Sequence, residues 1–278
     1  MSIAIAVPSL NQQRFLGAAL DSLDRTGVPV VRAVLDAGST DGSRELIAAR
    51  AAELAFWRSE PDAGQAAAVN EGVRRLCHTH PEAIEAVGWL NADDFFLEQG
   101  LGRLWQALAA HPEWVAVSGR AALASENGAL VGEIPTERFS PARFARACTI
   151  CQPATLVRRW AWERSGGLDA SLDMCFDYDL WWRLSRLGEI GHLDAMVAAS
   201  RDHRDTKTRR HRLQYFREAT AIVKRETGAV PWHWYISEAL ERRMQFEVGR
   251  RPTLAARVGG GAKAVAAYVH DRWRSPFV

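Results

Sequence analysis

Along the first hundred residues, short apolar runs alternate with stretches in which apolar residues recur every three or four positions. Residues 3–7, 30–35 and 86–90 are mostly apolar runs, with the length and β-branched content of strands covered on both faces. Between them, helical spacing appears over residues 15–23, 43–50 and 65–76, and residues 54–59 supply one more strand. This alternation predicts βαβ units and an α/β fold, with a central, mostly parallel sheet flanked by helices. Further on, residues 114–124 and 129–134 flank Glu126-Asn127-Gly128, a turn signal that predicts a hairpin. Beyond residue 208 the pattern turns helical and basic, interrupted at 228–231, 249–252 and 259–261. The reading therefore divides the chain into a domain over 1–207 and a helical basic extension over 208–278.

No apolar stretch approaches the ~20 residues that a spanning helix needs. The first residues carry no basic segment ahead of a long apolar run and read as a strand rather than a signal peptide. Cys77, Cys148, Cys151 and Cys175 are then expected to be reduced thiols in a cytoplasmic setting. Cys148 and Cys151 form a CxxC with no second pair, so two buried, inert thiols are expected rather than structural zinc. The net charge of +2 hides a division. Residues 1–200 hold 18 Lys/Arg against 25 Asp/Glu, and the remainder 17 against 8. An acidic front suits metal binding, and a basic tail suits phosphate or an anionic surface.

Two strand ends carry chemistry. The second strand runs out into Asp36-Ala37-Gly38-Ser39-Thr40-Asp41-Gly42, placing a carboxylate and a flexible loop where open α/β sheets bind ligands. A nucleotide is one guest for such a loop; a plain turn, with Asp41 or Ser43 capping the next helix, is the other reading. No Gly-Lys-Ser/Thr ends it and no GxGxxG is present, so P-loop and dehydrogenase readings weaken. A later strand ends in Trp89-Leu90-Asn91-Ala92-Asp93-Asp94. Adjacent carboxylates there suit Mg²⁺ or Mn²⁺, or else cap a helix.

In order along the chain, Val7-Pro8-Ser9-Leu10-Asn11, the loop from Asp36 to Gly42, Ser59-Glu60-Pro61-Asp62-Ala63-Gly64-Gln65 and Leu90-Asn91-Ala92-Asp93-Asp94 resemble the motifs of family 2 glycosyltransferases of GT-A fold. The resemblance continues through Gln152-Pro153-Ala154-Thr155, Gly166-Gly167-Leu168-Asp169, the run from Asp177 to Leu184, and Arg201-x-His203-x-x-x-Lys207-Thr208. It covers about residues 3–208. It implies a Rossmann-like nucleotide-sugar half over 1–120 and an acceptor-binding, catalytic half over 121–207. It also implies inverting, non-processive transfer from a nucleoside-diphosphate sugar, with a UDP-sugar as the default, to a saccharide or lipid-linked acceptor in bacterial cell-surface polysaccharide synthesis.

By the same resemblance Asp36 and Asp62 would hold base and ribose, with Pro8, Asn11, Gly38, Ser39, Gln65, Asn91 and Ala92 also at the nucleotide. Asp93 would take the Mn²⁺ or Mg²⁺ of a DXD-type motif, with Asp94 and His203 as further ligands and Lys207 on the diphosphate; the alternative for His203 and Lys207 is a solvated basic loop, since Arg201, Arg204, Arg209, Arg210 and Arg212 crowd the same stretch. Asp177 would be the general base. The chemistry agrees on its own terms, since an inverting transfer needs one carboxylate beside the acceptor hydroxyl and a cation on the departing diphosphate. Asp177 precedes Leu180, Trp181 and Leu184 at helical spacing, near a helix start whose dipole favours the ionised form; the alternative is that Asp177 or Asp179 only caps that helix.

Two positions depart from the family pattern: Asn91 stands where many members carry the first Asp of DXD, and Phe176 where a Glu often precedes the base. They prompt a second reading, a non-catalytic nucleotide-sugar-binding module. A third, a sugar nucleotidyltransferase, lacks its glycine-rich N-terminal signature. In the tail, Trp232, Trp234 and Tyr235, and then Val265, Tyr268, Val269 and Trp273, form apolar stripes beside arginines. These suggest packing, dimerisation or peripheral contact with the inner membrane face. No nucleic-acid recognition motif accompanies the basic residues, so that partner is not expected.

Overall fold

The computed structural model describes the backbone of residues 2–249 and the side chains of residues 2–243. The stripe from Val265 to Trp273, the break expected at 259–261 and all but the first residue of the break expected at 249–252 lie outside the described residues. In chain order the elements are β1 (Ser2–Ser9), α1 (Gln13–Asp24), β2 (Val30–Asp36), α2 (Ser43–Ala49), β3 (Phe56–Ser59), α3 (Gln65–Thr79), β4 (Ile84–Trp89) and β5 (Phe95–Phe96). There follow α4 (Gly100–Ala110), β6 (Trp114–Ala124), β7 (Leu130–Ile134), α5 (Pro141–Phe144), β8 (Thr155–Arg158), α6 (Arg159–Ser165), α7 (Phe176–Leu184) and β9 (Glu189–Arg201). The last three are α8 (Lys207–Arg210), α9 (Arg212–Thr227) and α10 (Trp232–Gly249).

The described residues form two compact units, one of residues 2–140 and 149–203, the other of residues 141–148 and 204–249. In the first, the sheet runs β3-β2-β1-β4-β8-β6-β9-β5, with β7 paired to β6. Its β3-β2-β1-β4 part is wholly parallel. This is the βαβ region that the alternating pattern predicts; β1, β2 and β4 are mostly apolar and buried, as strands covered on both faces are, while the edge strand β3 is half-buried. Parallel pairing returns between β6 and β9 over most of their length, while β8 pairs antiparallel with both β4 and β6, and β5 antiparallel with β9. The predicted hairpin is β6–β7.

One core cluster holds this unit together, from Ile3, Ile5 and Val7 through Leu16, Leu20 and Leu90 to Leu104, Leu156 and Val197. Because β1, β2, β3 and β4 run the same way, their C-terminal ends, and the loops that follow them, open on one edge. That edge carries Asn11, the loop from Asp36 to Gly42, Asp62 and the run from Asn91 to Asp94.

In the second unit α9 and α10 pack through Phe216 and Trp234, whose rings lie 6.2 Å apart, and the Trp234 indole donates to Ala145 O at 2.8 Å. The aromatic stripe expected on α10 is therefore split: Trp234 is buried, whereas Trp232 and Tyr235 are exposed. One helical turn cannot aim neighbouring residues the same way. The thiols need a correction too. Cys151 is buried but Cys148 is only half-buried.

Candidate active site

Asn11, just past β1, has a left-handed φ of 53°, a conformation that Asn tolerates better than most residues. Its N–H donates to Ser39 Oγ at 2.7 Å and its Oδ1 accepts from the Thr40 N–H at 2.9 Å, so the loops after β1 and β2 are tied together. Asp41 accepts from the Ser43 N–H and hydroxyl and from the Gln13 N–H. Burial raises its carboxyl pKa, but those hydrogen bonds outweigh the burial and hold it below the usual range. Asp41 thus supports the first turn of α2 from just outside it, although the cap position itself is Gly42, with no side-chain cap bond.

Asp36 was expected to meet the nucleotide, yet it is 0% exposed. Its carboxylate accepts from the Gly38 and Ser39 N–H groups and from the Ser39 and Ser59 hydroxyls. Three of these donors meet Oδ2 and one meets Oδ1, so in this structure Asp36 ties down the loop that follows β2. Gly38 has a φ of +83°, and a Cβ there would lie 3.4 Å from Pro61, so glycine lets the two loops lie close. Asp62 accepts from the Gly64 N–H at 2.9 Å and from Arg58 at 3.2 Å, and its side chain keeps 11% exposure. Pro8 is buried in β1, opposite Leu35 of β2.

At the end of β4, Leu90 and Ala92 point inward and are buried. Asn91 donates to Asp94 Oδ2 at 3.0 Å and to Gln152 Oε1 at 3.1 Å, and accepts from Gln65 Nε2 at 2.8 Å. Gln152 in turn donates to Trp89 O at 2.7 Å. Asp94 does not stand beside Asp93 as a second free ligand. Its Oδ1 accepts from the Arg201 N–H at 2.9 Å, and burial, with the charge of Asp93 second, pushes its carboxyl up to about 7. An inward carboxylate bonded on both oxygens anchors β9 to the end of β4.

Asp93 meets His203, 110 residues away, at 3.0 Å between Oδ2 and Nε2. The His203 side chain has no exposure. Arg201, also buried, donates to Asp93 O at 2.8 Å and Glu126 O at 2.9 Å, with its guanidinium 4.7 Å over Phe15 and 5.2 Å over Phe95. Among the described residues, no group of three His, Cys, Asp or Glu side chains is placed to hold a metal. A carboxylate and an imidazole converging at 3.0 Å nevertheless fit a cation that takes its remaining ligands from phosphate and water, the usual manner of Mg²⁺ in nucleotide sites. Lys207 stands exposed at the start of α8 in the second unit.

Asp177 lies in the first turn of α7, half-buried, with Oδ1 accepting from the Tyr178 N–H at 2.7 Å. The helix is held against the end of β4 by aromatic rings: Trp181 stacks on Trp89 at 5.9 Å and Phe176 lies 6.5 Å from it. Asp179 is buried and pairs with Arg183 at 2.7 Å, and neither carboxylate bonds as an N-cap, the cap position being Cys175.

The family model described as "Glycosyl transferase family 2" matches residues 4–159. The chain belongs to that family. This glycosyltransferase family member is 21% identical over 234 residues to an uncharacterized glycosyltransferase of Rickettsia typhi, covering 79% of this chain and 70% of the relative. Among solved structures it is similar to S. aureus TarS, at a TM-score of 0.59 and 14% identity over 82% of this chain; it spans only 40% of that structure. TarS 1–349 in complex with UDP-GlcNAc aligns at a TM-score of 0.62, with 14% identity, over 86% of this chain and 71% of that one. The mannosyltransferase PcManGT from Pyrobaculum calidifontis, in complex with GDP-Man and Mn²⁺, aligns at 0.59 with 20% identity over 97% and 79%. At these identities the likeness is one of fold, and the fold is GT-A.

Of the residues that order this edge, sequence reasoning left out Arg14, Glu126 and the side-chain role of Gln152, and took Arg201 only as part of a motif. A signal existed for Gln152, which opens one of the family-like segments. None existed for Arg14 or Glu126, which meet only because the hairpin turn folds back to α1.

Proposed function

We propose that the protein is an inverting glycosyltransferase that moves a sugar from a nucleoside-diphosphate sugar to a hydroxyl of a saccharide or lipid-linked acceptor. The observation that carries this reading is the gathering of Asn11, Ser39, Asp62, Gln65, Asn91 and Asp93 on the carboxyl edge of a parallel sheet, with His203 brought to Asp93 and the helix of Asp177 packed on the end of β4. The complexes of TarS with UDP-GlcNAc and of PcManGT with GDP-Man and Mn²⁺ support a nucleotide-sugar donor and a cation.

In this reading Asn11, Ser39 and Asp62 receive the nucleoside, held by the loop that Asp36 ties down. Gln65 and Asn91 fix the floor beneath the diphosphate. Asp93, with His203 in reach, would hold Mn²⁺ or Mg²⁺, which when bound offsets the charge appearing on the departing diphosphate. Asp177 accepts the acceptor's hydroxyl proton as that oxygen bonds to the anomeric carbon; the bond from that carbon to the diphosphate breaks on the opposite face. The N-terminal turn of α7 favours the ionised carboxylate that this needs.

The test is Asp177→Asn, assayed for sugar transfer from UDP- and GDP-sugars. Loss of a general base costs about 10²–10⁴-fold in rate, and nucleotide binding should stay unchanged. Transfer at the wild-type rate would remove Asp177 from the role, and nucleotide binding without turnover by the wild-type protein would favour a binding module.

A further inference from the structure

Arg14, in the first turn of α1, donates from Nη2 to His203 Nδ1 at 3.3 Å, while its Nη1 pairs with Glu126. Its guanidinium lies 4.4 Å from the centre of the Phe15 ring, and that ring is 4.7 Å from the imidazole of His203. The imidazole is thus bounded by Arg14 at one nitrogen, Asp93 at the other and Phe15 on a face.

A guanidinium only donates. Nδ1 of His203 must therefore accept, which places the ring proton on Nε2, where it is donated to Asp93 Oδ2 at 3.0 Å. A metal ligated by Nε2 takes the lone pair there and leaves the proton on Nδ1, directly against the Arg14 donor. The two arrangements exclude each other. We propose that Arg14 is a positioning residue that competes with a divalent cation for His203: it locks the imidazole as a hydrogen-bond donor to Asp93, and ligation by His203 requires Arg14 to withdraw to Glu126. The inference rests on the reading of Asp93 as the cation's carboxylate.

Two measurements test it. In ¹⁵N-histidine-labelled, metal-free protein, with the His203 signals assigned by loss in H203Q, wild type should show a protonated Nε2 and a bare Nδ1. R14L leaves Nε2–H donating to Asp93 and is therefore read in the cation measurement; should that variant fail to fold, R14Q serves there, because its amide oxygen can accept from the Nδ1–H that ligation through Nε2 leaves. A protonated Nδ1 in the wild type would overturn the proposal. Binding of Mn²⁺ alone, followed by the EPR signal of the free ion, should tighten about tenfold in R14L, the scale of one charge-assisted hydrogen bond. That gain should vanish when R14L is made in an H203Q background. A gain that persists there would mean that Arg14 acts only as a repelling charge, and the competition would be refuted. If neither wild type nor R14L binds Mn²⁺, the cation reading falls and the competition with it, while the nitrogen signals still judge the hold of Arg14 on His203.

Discussion

Asn91 spends its carboxamide on three neighbours, donating to Asp94 and Gln152 and accepting from Gln65. A carboxylate has no proton to give, so an aspartate here would face Asp94 Oδ2, now 3.0 Å away, as a like charge in a buried place. Asn91→Asp is expected to lower stability by about 1–3 kcal/mol at pH 8. Two carboxylates sharing a site raise one pKa, so the folded form binds a proton that the unfolded chain has released. Stability is then retained at low pH and lost as pH rises through the raised value, and the deficit should be smaller at pH 5 than at pH 8 in urea denaturation. An equal deficit at both would disprove the like-charge account. The departure from DXD was legible in the sequence; its reason was not, because Gln65 and Gln152 are remote from Asn91 in the chain and Asp94 turns inward only once β9 arrives beside it.

At the scale of elements, α3 shows why pattern reading succeeds: Ala66, Val69, Gly72, Val73 and Leu76 form its buried face, at the spacing of an amphipathic helix. The close approach of α4 to β9 shows where pattern reading stops. Gly100 opens α4, and a Cβ on it would overlap the Val197 backbone carbonyl, which also accepts from the Leu97 N–H at 2.9 Å. Neither group can give way as a flexible side chain would. Gly100→Ala should cost about 1–3 kcal/mol, seen as a lower urea midpoint, and a wild-type midpoint would show that the two elements slide apart freely. In the sequence Gly100 looks like any helix-start glycine. Only the arrival of β9 makes it obligatory.

For the molecule as a whole, a ligand that binds only the folded state stabilises it in proportion to occupancy. At a nucleotide concentration 100 times Kd the gain is about 2.7 kcal/mol, or roughly 5–10 °C in Tm for a chain of this size. UDP or GDP with Mn²⁺ should give such a shift and Asp93→Asn should reduce it; a panel of nucleoside diphosphates that moves no Tm, with or without Mn²⁺, would count against a donor site on this edge. The strand order came with the structure, whereas the sequence alone determined the βαβ region with its mostly parallel sheet, the β6–β7 hairpin and the family. These depend on short-range periodicity, turn chemistry and ordered motifs, all written locally. It also named Asp93 and Asp177 as candidates, through the resemblance of their segments to family motifs, one at a strand end and one at a helix start. The tertiary structure alone decided that Asp36 and Asp94 face inward, that His203 meets Asp93, and that Arg14 reaches His203 from the other end of the unit. Burial and hydrogen-bond partnership are properties of groups distant along the chain, and no local pattern records which of two adjacent carboxylates will turn toward solvent.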